Sequence, residues 1–175
     1  MQIREKEPPD EPWISSVLDE HWGANGTGII IAHGESFDAR TLPALIAGER
    51  DGLAIYKIGA DNLSAELITL DGFMPHQGIG GALIDALVAK IRQQGSHLLR
   101  VTTTNDNLDA LRFYQRRGFR IVAVRPGAVD QARKIKPTIP AVGEYGIPIR
   151  DEIDLELGIE RRSQEPESRS QEIRG

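Results

Sequence analysis

The chain contains no cysteine. That excludes disulfides, thiolate nucleophiles and thiolate-bound metals, and it fits a reducing compartment. Long apolar runs are missing too, since none approaches the roughly 20 residues of a membrane helix. The start, Met1-Gln2-Ile3-Arg4-Glu5, has no apolar segment of the signal-peptide kind. The expectation is a soluble cytoplasmic protein with no membrane partner. Positive charge is in deficit: 21 Lys and Arg face 26 Asp and Glu, a net charge of −5, which argues against nucleic acid as a partner. The four histidines, His21, His33, His76 and His97, show no metal-ligand spacing, so no metal is expected.

What is present is enough for one domain with a real core: 175 residues, 39% of them hydrophobic. The chain is organised around Met74-Pro75-His76-Gln77-Gly78-Ile79-Gly80-Gly81-Ala82-Leu83. An apolar segment, Ala65 to Leu70, runs into it, and an amphipathic helix runs out of it to about Gln94. A Gly-rich turn at a helix N-terminus offers unpaired N–H groups and the positive end of the dipole, which together form an anion site for phosphate or pyrophosphate. No Gly-Lys-Ser/Thr follows, and no Gly-x-Gly-x-x-Gly is present, so a P-loop and a dinucleotide fold are disfavoured.

The remaining elements follow from period and punctuation. Gln2 to Glu5 reads as a strand, and Pro12 to His21 as a helix. Thr27 to Ala32 is a strand, followed by a loop at His33-Gly34-Glu35-Ser36. Leu42 to Gly48 is a short apolar piece. Glu49-Arg50-Asp51-Gly52 reads as a hairpin turn before the strand Leu53 to Ile58, because Asp-Gly is a strong turn pair. Ser64 to Leu70 is the strand that feeds the Gly-rich turn. Ile79, Leu83, Leu87 and Ile91 mark one helix face, closed by Gly95. His97 to Thr104 is a strand, so the series implies a parallel βαβ unit. Asn107 caps a helix, Leu108 to Arg117, and Gly118 with Phe119 fits a Schellman ending that rests Phe119 near Tyr114. Arg120 to Val124 is a strand and Ala128 to Lys134 a short helix. Pro137 to Pro148 is a loop, and Ile149 to Leu157 closes the fold as an edge strand. The domain is expected over residues 1–157, with residues 158–175 a disordered tail.

Two stretches carry a family resemblance. Ile68 to Gly80, ending Gln77-Gly78-Ile79-Gly80, resembles motif A of the GNAT superfamily of acyl-CoA N-acyltransferases, a strand followed by Arg/Gln-x-x-Gly-x-Gly/Ala. Asn107-Leu-Asp-Ala110-Leu-Arg-Phe113-Tyr114-Gln-Arg-Arg-Gly118-Phe119 resembles motif B. The pair covers roughly Ser64 to Val124, in the family's order and spacing. Pro75 stands where the family usually has Arg or Gln and brings no N–H. That leaves Gln77, Gly78, Gly80 and Gly81 as donors.

The resemblance implies a mixed α/β fold of α+β type: about seven strands, mostly antiparallel, with helices on both faces. Two central strands would splay into a cofactor cleft. It implies an N-acetyltransferase that uses acetyl-CoA as co-substrate and a small-molecule or peptide amine as acceptor, by direct attack in a ternary complex. A non-catalytic acyl-CoA-binding module is the alternative, and a homodimer is an assembly the fold allows. The cofactor would lie along Leu70, Met74, Gln77, Gly78, Ile79, Gly80, Gly81 and Asn107, with the Leu70 N–H aimed at the thioester carbonyl. Tyr114 is the candidate general acid for the departing sulfur, or else a packing residue under the Schellman turn. Glu66 shares a strand face with Ile68 and Leu70 by period-2 alternation, which makes it the candidate base through water, or else a salt-bridged strand carboxylate. Arg112 and Arg116 share a helix face that would meet the 3′-phosphate or stay solvated. Glu20, His21, Trp22, Glu35, Asp38, Glu144 and Tyr145 form an acidic acceptor entrance suited to a cationic amine.

Overall fold

The computed structural model describes residues 1–23, 26–74 and 77–160. Pro75, His76 and most of the expected tail lie outside the described residues. The elements are β1 (Ile3–Glu5), α1 (Glu11–Trp22), β2 (Ile29–Ala32), β3 (Glu35–Asp38), β4 (Ala44–Ala47), β5 (Gly52–Ile58), β6 (Ser64–Gly72), α2 (Ile79–Gln93), β7 (Leu98–Thr104), α3 (Leu108–Arg116), β8 (Arg120–Arg125), α4 (Ala128–Ile135) and β9 (Glu152–Gly158). Seven strands form one sheet in the order β1-β4-β5-β6-β7-β9-β8, and β2 with β3 forms a separate ribbon. All pairings described are antiparallel except β6 with β7. The fold is the mixed, mostly antiparallel sheet that the motifs imply.

Helices cover both faces. Leu83, Leu87 and Ile91 of α2 are fully buried against Leu45, Ala54, Tyr56 and Leu67. Burying each such side chain stabilises by roughly 1.5–3 kcal/mol. On the other face, Ile14 and Leu18 of α1 close over Ile46, Leu53 and Ile55.

Strand β6 carries the feature that builds the site. Ile55 pairs with Thr69 and Tyr56 with Leu67, so Ile68 is an extra, bulged residue. The bulge resets the alternation. Ile68 joins the α1-side core, whereas Leu70 packs on the α2 side. Glu66 and Leu70 therefore do not share a face, contrary to simple period-2 counting. Pairing of β6 with β7 also stops at Leu67↔Val101, while β7 stays paired with β9 as far as Thr104. The two strands part there and leave a wedge.

Three sequence expectations are corrected. Strand β9 is interior, lying between β7 and β8, and β8 is the edge. Leu155 is accordingly fully buried. Residues 33–36 are a hairpin, not an open loop: His33 and Gly34 adopt positive φ values of 55° and 72°, the conformation of a two-residue turn. Asp51-Gly52 is not the turn pair, because Gly52 already belongs to β5 and Gly48, with φ 57°, takes the left-handed position. Strand β9 extends to Gly158, and Ile159 is buried, its N–H donating to the His97 carbonyl at 2.8 Å.

Candidate active site

Helix α2 has Gly78 as its N-cap, where the φ of 70° and ψ of 15° are left-handed. Its first backbone bond runs from the Ala82 N–H to the Gly78 carbonyl at 3.0 Å. The N–H groups of Ile79, Gly80 and Gly81 precede that bond and point out of the helix end. A Cβ on Gly80 would come 3.3 Å from Phe113 Cζ, so glycine keeps the backbone accessible under α3. A Cβ on Gly81 would overlap the Arg117 guanidinium. Arg117 lies over that bare backbone, 5.2 Å from the Phe113 ring centroid and 3.3 Å from Asp85 Oδ1. Arg117, at the C-cap of α3, thus sets a cation beside the N-terminal dipole of α2.

The wedge between β6 and β7 continues into a cleft of about 680 Å³. Leu70, Met74, Gly78, Ile79, Gly80, Gly81, Asn107, Tyr114 and Arg117 line it. Gln77 is exposed and stands outside the wall. The Asn107 side chain accepts from the Ala110 N–H at 2.9 Å, so it caps α3 while facing the cleft. At the other end of α3, the Gly118 N–H donates to the Gln115 carbonyl and the Phe119 N–H to the Tyr114 carbonyl, a Schellman motif. That ending holds Phe119 5.2 Å from the Tyr114 ring. Tyr114 is buried, and burial, with the Asp71 charge adding to it, pushes its phenol well above the ordinary range.

Asp71 was not anticipated. It follows the bulge and lines the same cleft as Tyr114. Burial raises its carboxyl, opposed by the Trp22 indole N–H at 3.3 Å and by His21, whose Nδ1 is 3.5 Å from Asp71 Oδ1. His21 packs edge-on against Phe73 at 5.5 Å. The missing signal was the bulge, which periodicity does not reveal.

A second cavity of about 470 Å³ lies between α1, β2, α4 and the start of β9, and His21 lines both it and the cleft. Glu66 lines neither. Its Oε1 is 2.7 Å from His33 Nε2, which also contacts Thr102 Oγ1 at 2.8 Å. That network ties the β2–β3 ribbon to the sheet. The expected acidic entrance is mostly answered within the protein. Glu35 pairs with Lys57 and Asp38 with Arg40, while the Tyr145 hydroxyl donates to Asp109. Arg112 pairs with Asp109 at 3.1 Å, and neither Arg112 nor Arg116 lines the main cleft. Among the described residues, no group of three or more His, Cys, Asp or Glu is placed to hold a metal ion, and no helix is long and apolar enough to cross a membrane.

A family model, the Acetyltransferase (GNAT) family, matches residues 19–119. Protein YxbD of Bacillus subtilis (strain 168) is 34% identical over 145 residues, 81% of this chain and 89% of that protein. Protein YdhI of the same organism is 44% identical over 107 residues, covering 61% of this chain and 66% of YdhI, just under two thirds of its length. The crystal structure of a GNAT family acetyltransferase from Elizabethkingia anophelis, with acetyl-CoA bound, superposes with a TM-score of 0.68 at 19% identity, over 90% of this chain and 97% of that one.

Proposed function

The chain belongs to the acetyltransferase (GNAT) family, and from that premise we propose that it transfers the acetyl group of acetyl-CoA to a primary amine by direct attack in a ternary complex. One observation carries the reading: the N-terminus of α2, Tyr114 and Asp71 share a single cleft where β6 and β7 part.

The residues fit the co-substrate. The N–H groups of Ile79, Gly80 and Gly81, which have no backbone partner among the described residues, the helix dipole and Arg117 suit a pyrophosphate. Leu70 and Met74 would flank the pantetheine arm, with Asn107 facing it from the start of α3. The Leu70 N–H, beyond the last β6–β7 pair, is our candidate donor to the thioester carbonyl. When bound, acetyl-CoA supplies the activated acyl group.

The amine nitrogen forms a bond to the acyl carbon as the carbon–sulfur bond breaks. One proton leaves nitrogen and one joins sulfur. Tyr114 is the proposed donor toward sulfur. A free thiol titrates near 8.5 and an ordinary phenol near 10, so full transfer to a finished thiolate is uphill. The phenol acts while charge is building on sulfur, as a hydrogen bond that hands over its proton during cleavage. We assign proton removal to His21 held by Asp71, ahead of Glu66, because His21 borders the cleft and the second cavity and Glu66 borders neither. Glu66 remains the base of choice if His21 proves dispensable.

Exposed Ile121, Val122 and Val124 on edge strand β8 support a homodimer through that edge. Light scattering of wild type and Val124→Glu tests it, and two equal monomer masses would refute it.

Two measurements test the main reading. Acetyl-CoA raises the melting temperature, since it binds the folded state. An amine panel then shows thiol release above the rate without amine. Stabilisation with no turnover on any amine would favour the non-catalytic module instead.

A further inference from the structure

The 470 Å³ cavity falls within the size range of small-molecule sites. Ile30, Ile31, Val129, Ala132, Ile139 and Ile149 supply its apolar wall. Its ionisable groups are Glu20, His21, Lys136 and Glu152. Glu152 is buried and takes bonds of 2.7 and 3.1 Å from Arg125, a guanidinium that it shares with Asp154. Glu20 is exposed at the rim.

Lys136 is different. It follows α4, is half-buried, and has no carboxylate partner among the described residues. Its Nζ donates to the Trp22 carbonyl at 2.8 Å and the Ile29 carbonyl at 3.1 Å. An ammonium has three donors, so one remains. The Trp22 carbonyl ends α1, where the dipole supplies about half a negative charge. The dipole tempers the lysine charge, and no carboxylate is paired with it among the described residues. The two carbonyls fix where it points without neutralising it, and its pKa is pulled down by burial.

We infer that this cavity takes the acceptor, that the acceptor is an amine on an apolar body which also bears a carboxylate, and that Lys136 reads the carboxylate. The inference rests on the acetyl-transfer reading and narrows its acceptor. It replaces the cationic amine that charge counting alone favours. The amine end faces His21, which opens toward the cleft. An apolar amino acid is the simplest compound with these three parts.

The test separates charge recognition from catalysis. Tryptophan fluorescence, to which Trp22 contributes from the cavity wall, follows titration with 4-phenylbutyrate and with 4-phenylbutyramide, which share one apolar body and exchange a carboxylate for a neutral amide. In the wild type the carboxylate binds at least tenfold more tightly. In Lys136→Met the preference disappears, and in Lys136→Arg it is kept. Equal binding of the two probes in the wild type, or no binding of either, overturns the proposal. So does a preference that survives Lys136→Met. If Lys136 is only a strap on α1, Lys136→Met lowers the melting temperature and leaves the ratio of affinities intact. Phenylalanine against phenylalaninamide, in thiol release from acetyl-CoA, is the catalytic arm, and the amino acid is expected to have the tenfold higher kcat/KM. Faster turnover of the amide overturns the proposal. A carboxylate preference in binding, with no stabilisation by acetyl-CoA, instead sinks the acetyl-transfer reading and leaves an anion site.

Discussion

His21 Nδ1 stands 3.5 Å from Asp71 Oδ1, in ion-pair range, and His21 is in the wall of both cavities. An Nδ1–H turned toward Asp71 leaves Nε2 with a lone pair for a proton. The sequence brings these two residues from α1 and from the end of β6, fifty positions apart. His21→Gln is expected to lower kcat roughly a hundredfold, the low end for a lost general base, with the KM for acetyl-CoA nearly unchanged. Asp71→Asn should fall less, because the imidazole remains. Burial raises the Asp71 carboxyl, so the folded state holds that proton more tightly than the unfolded chain. Stability from this group therefore declines as pH rises from about 4 through the raised folded value. Asp71→Asn should accordingly gain melting temperature relative to wild type at pH 7 and lose that advantage at pH 4. A variant less stable than wild type at pH 7 would contradict the sign.

The phenol of Tyr114 tests differently. Tyr114→Phe keeps the ring that packs on Phe119 and Phe113 and removes the proton donor. The melting temperature should change little, while thiol release falls ten- to a hundredfold. Equal rates across the amine panel would return Tyr114 to a packing role. Tyr114→Ala is uninformative for catalysis, because removing a buried ring costs about 3–5 kcal/mol.

What was legible in the chain was what short-range rules govern. The capping of α3 by Asn107 and its Schellman ending at Gly118-Phe119 follow from local backbone needs, and both are present. The apolar stripe of α2 was equally plain. What was not legible depended on partners distant in sequence. The bulge at Ile68 is a mismatch between β5 and β6, invisible in either strand alone. It separates Glu66 from Leu70 and aims Asp71 at the cleft. Strand β9 alternates as an edge strand would, but as the last strand of the chain it inserts between β7 and β8, which are already in place in sequence order. Lys136 drew no notice in the sequence, because its partners, the Trp22 and Ile29 carbonyls, lie more than a hundred positions away.

Away from the site, Arg4 and Asp10 form a two-bond pair at 2.6 and 2.9 Å that fastens β1 to the start of α1. Asp10 is buried, and the Arg4 hydrogen bonds, with one from the Glu7 N–H, hold its carboxyl well below the usual range. A depressed folded value means the stabilisation is present above the unfolded value near 3.9 and drains away as pH falls below it. Arg4 is one-third exposed and Arg50 stays 3.6 Å from Asp10, so the pair is partly screened and partly redundant. Arg4→Met should cost about 1–2 kcal/mol at pH 7. The gap between the thermal melts of the two proteins should narrow as pH is lowered from about 4 toward 2, because the unfolded chain then takes up a proton that the folded Asp10 still resists. A gap that is constant from pH 7 to pH 2 would mean that Arg4 acts by packing rather than by charge.

Gly52 connects the sheet to the cofactor turn. It lies on β5, paired with Ala47 and Gly72, without an unusual φ. Its role is space. A Cβ there would overlap Ile79 Cγ2, come within 2.9 Å of the Asp71 carbonyl oxygen and 3.1 Å of Leu83 Cδ1. Ile79 is the buried first residue of α2, and the Asp71 oxygen is backbone of the neighbouring strand, so neither can yield by a rotamer change alone. Gly52→Ala must therefore lift the N-terminal turn of α2 from the sheet. Overpacking of this kind typically costs about 1–3 kcal/mol. The displaced turn is also the one proposed to offer N–H groups to pyrophosphate, so the variant should lose affinity for CoA by tenfold or more. Gly78→Ala makes the contrast, because its Cβ meets nothing within 4 Å and its left-handed φ alone is strained, by roughly 1–2 kcal/mol. Thermal melts with and without CoA separate the two. Stabilisation by CoA equal to that of wild type in Gly52→Ala would show that the turn moves independently of the sheet, and would break the link between Gly52 and the cofactor site.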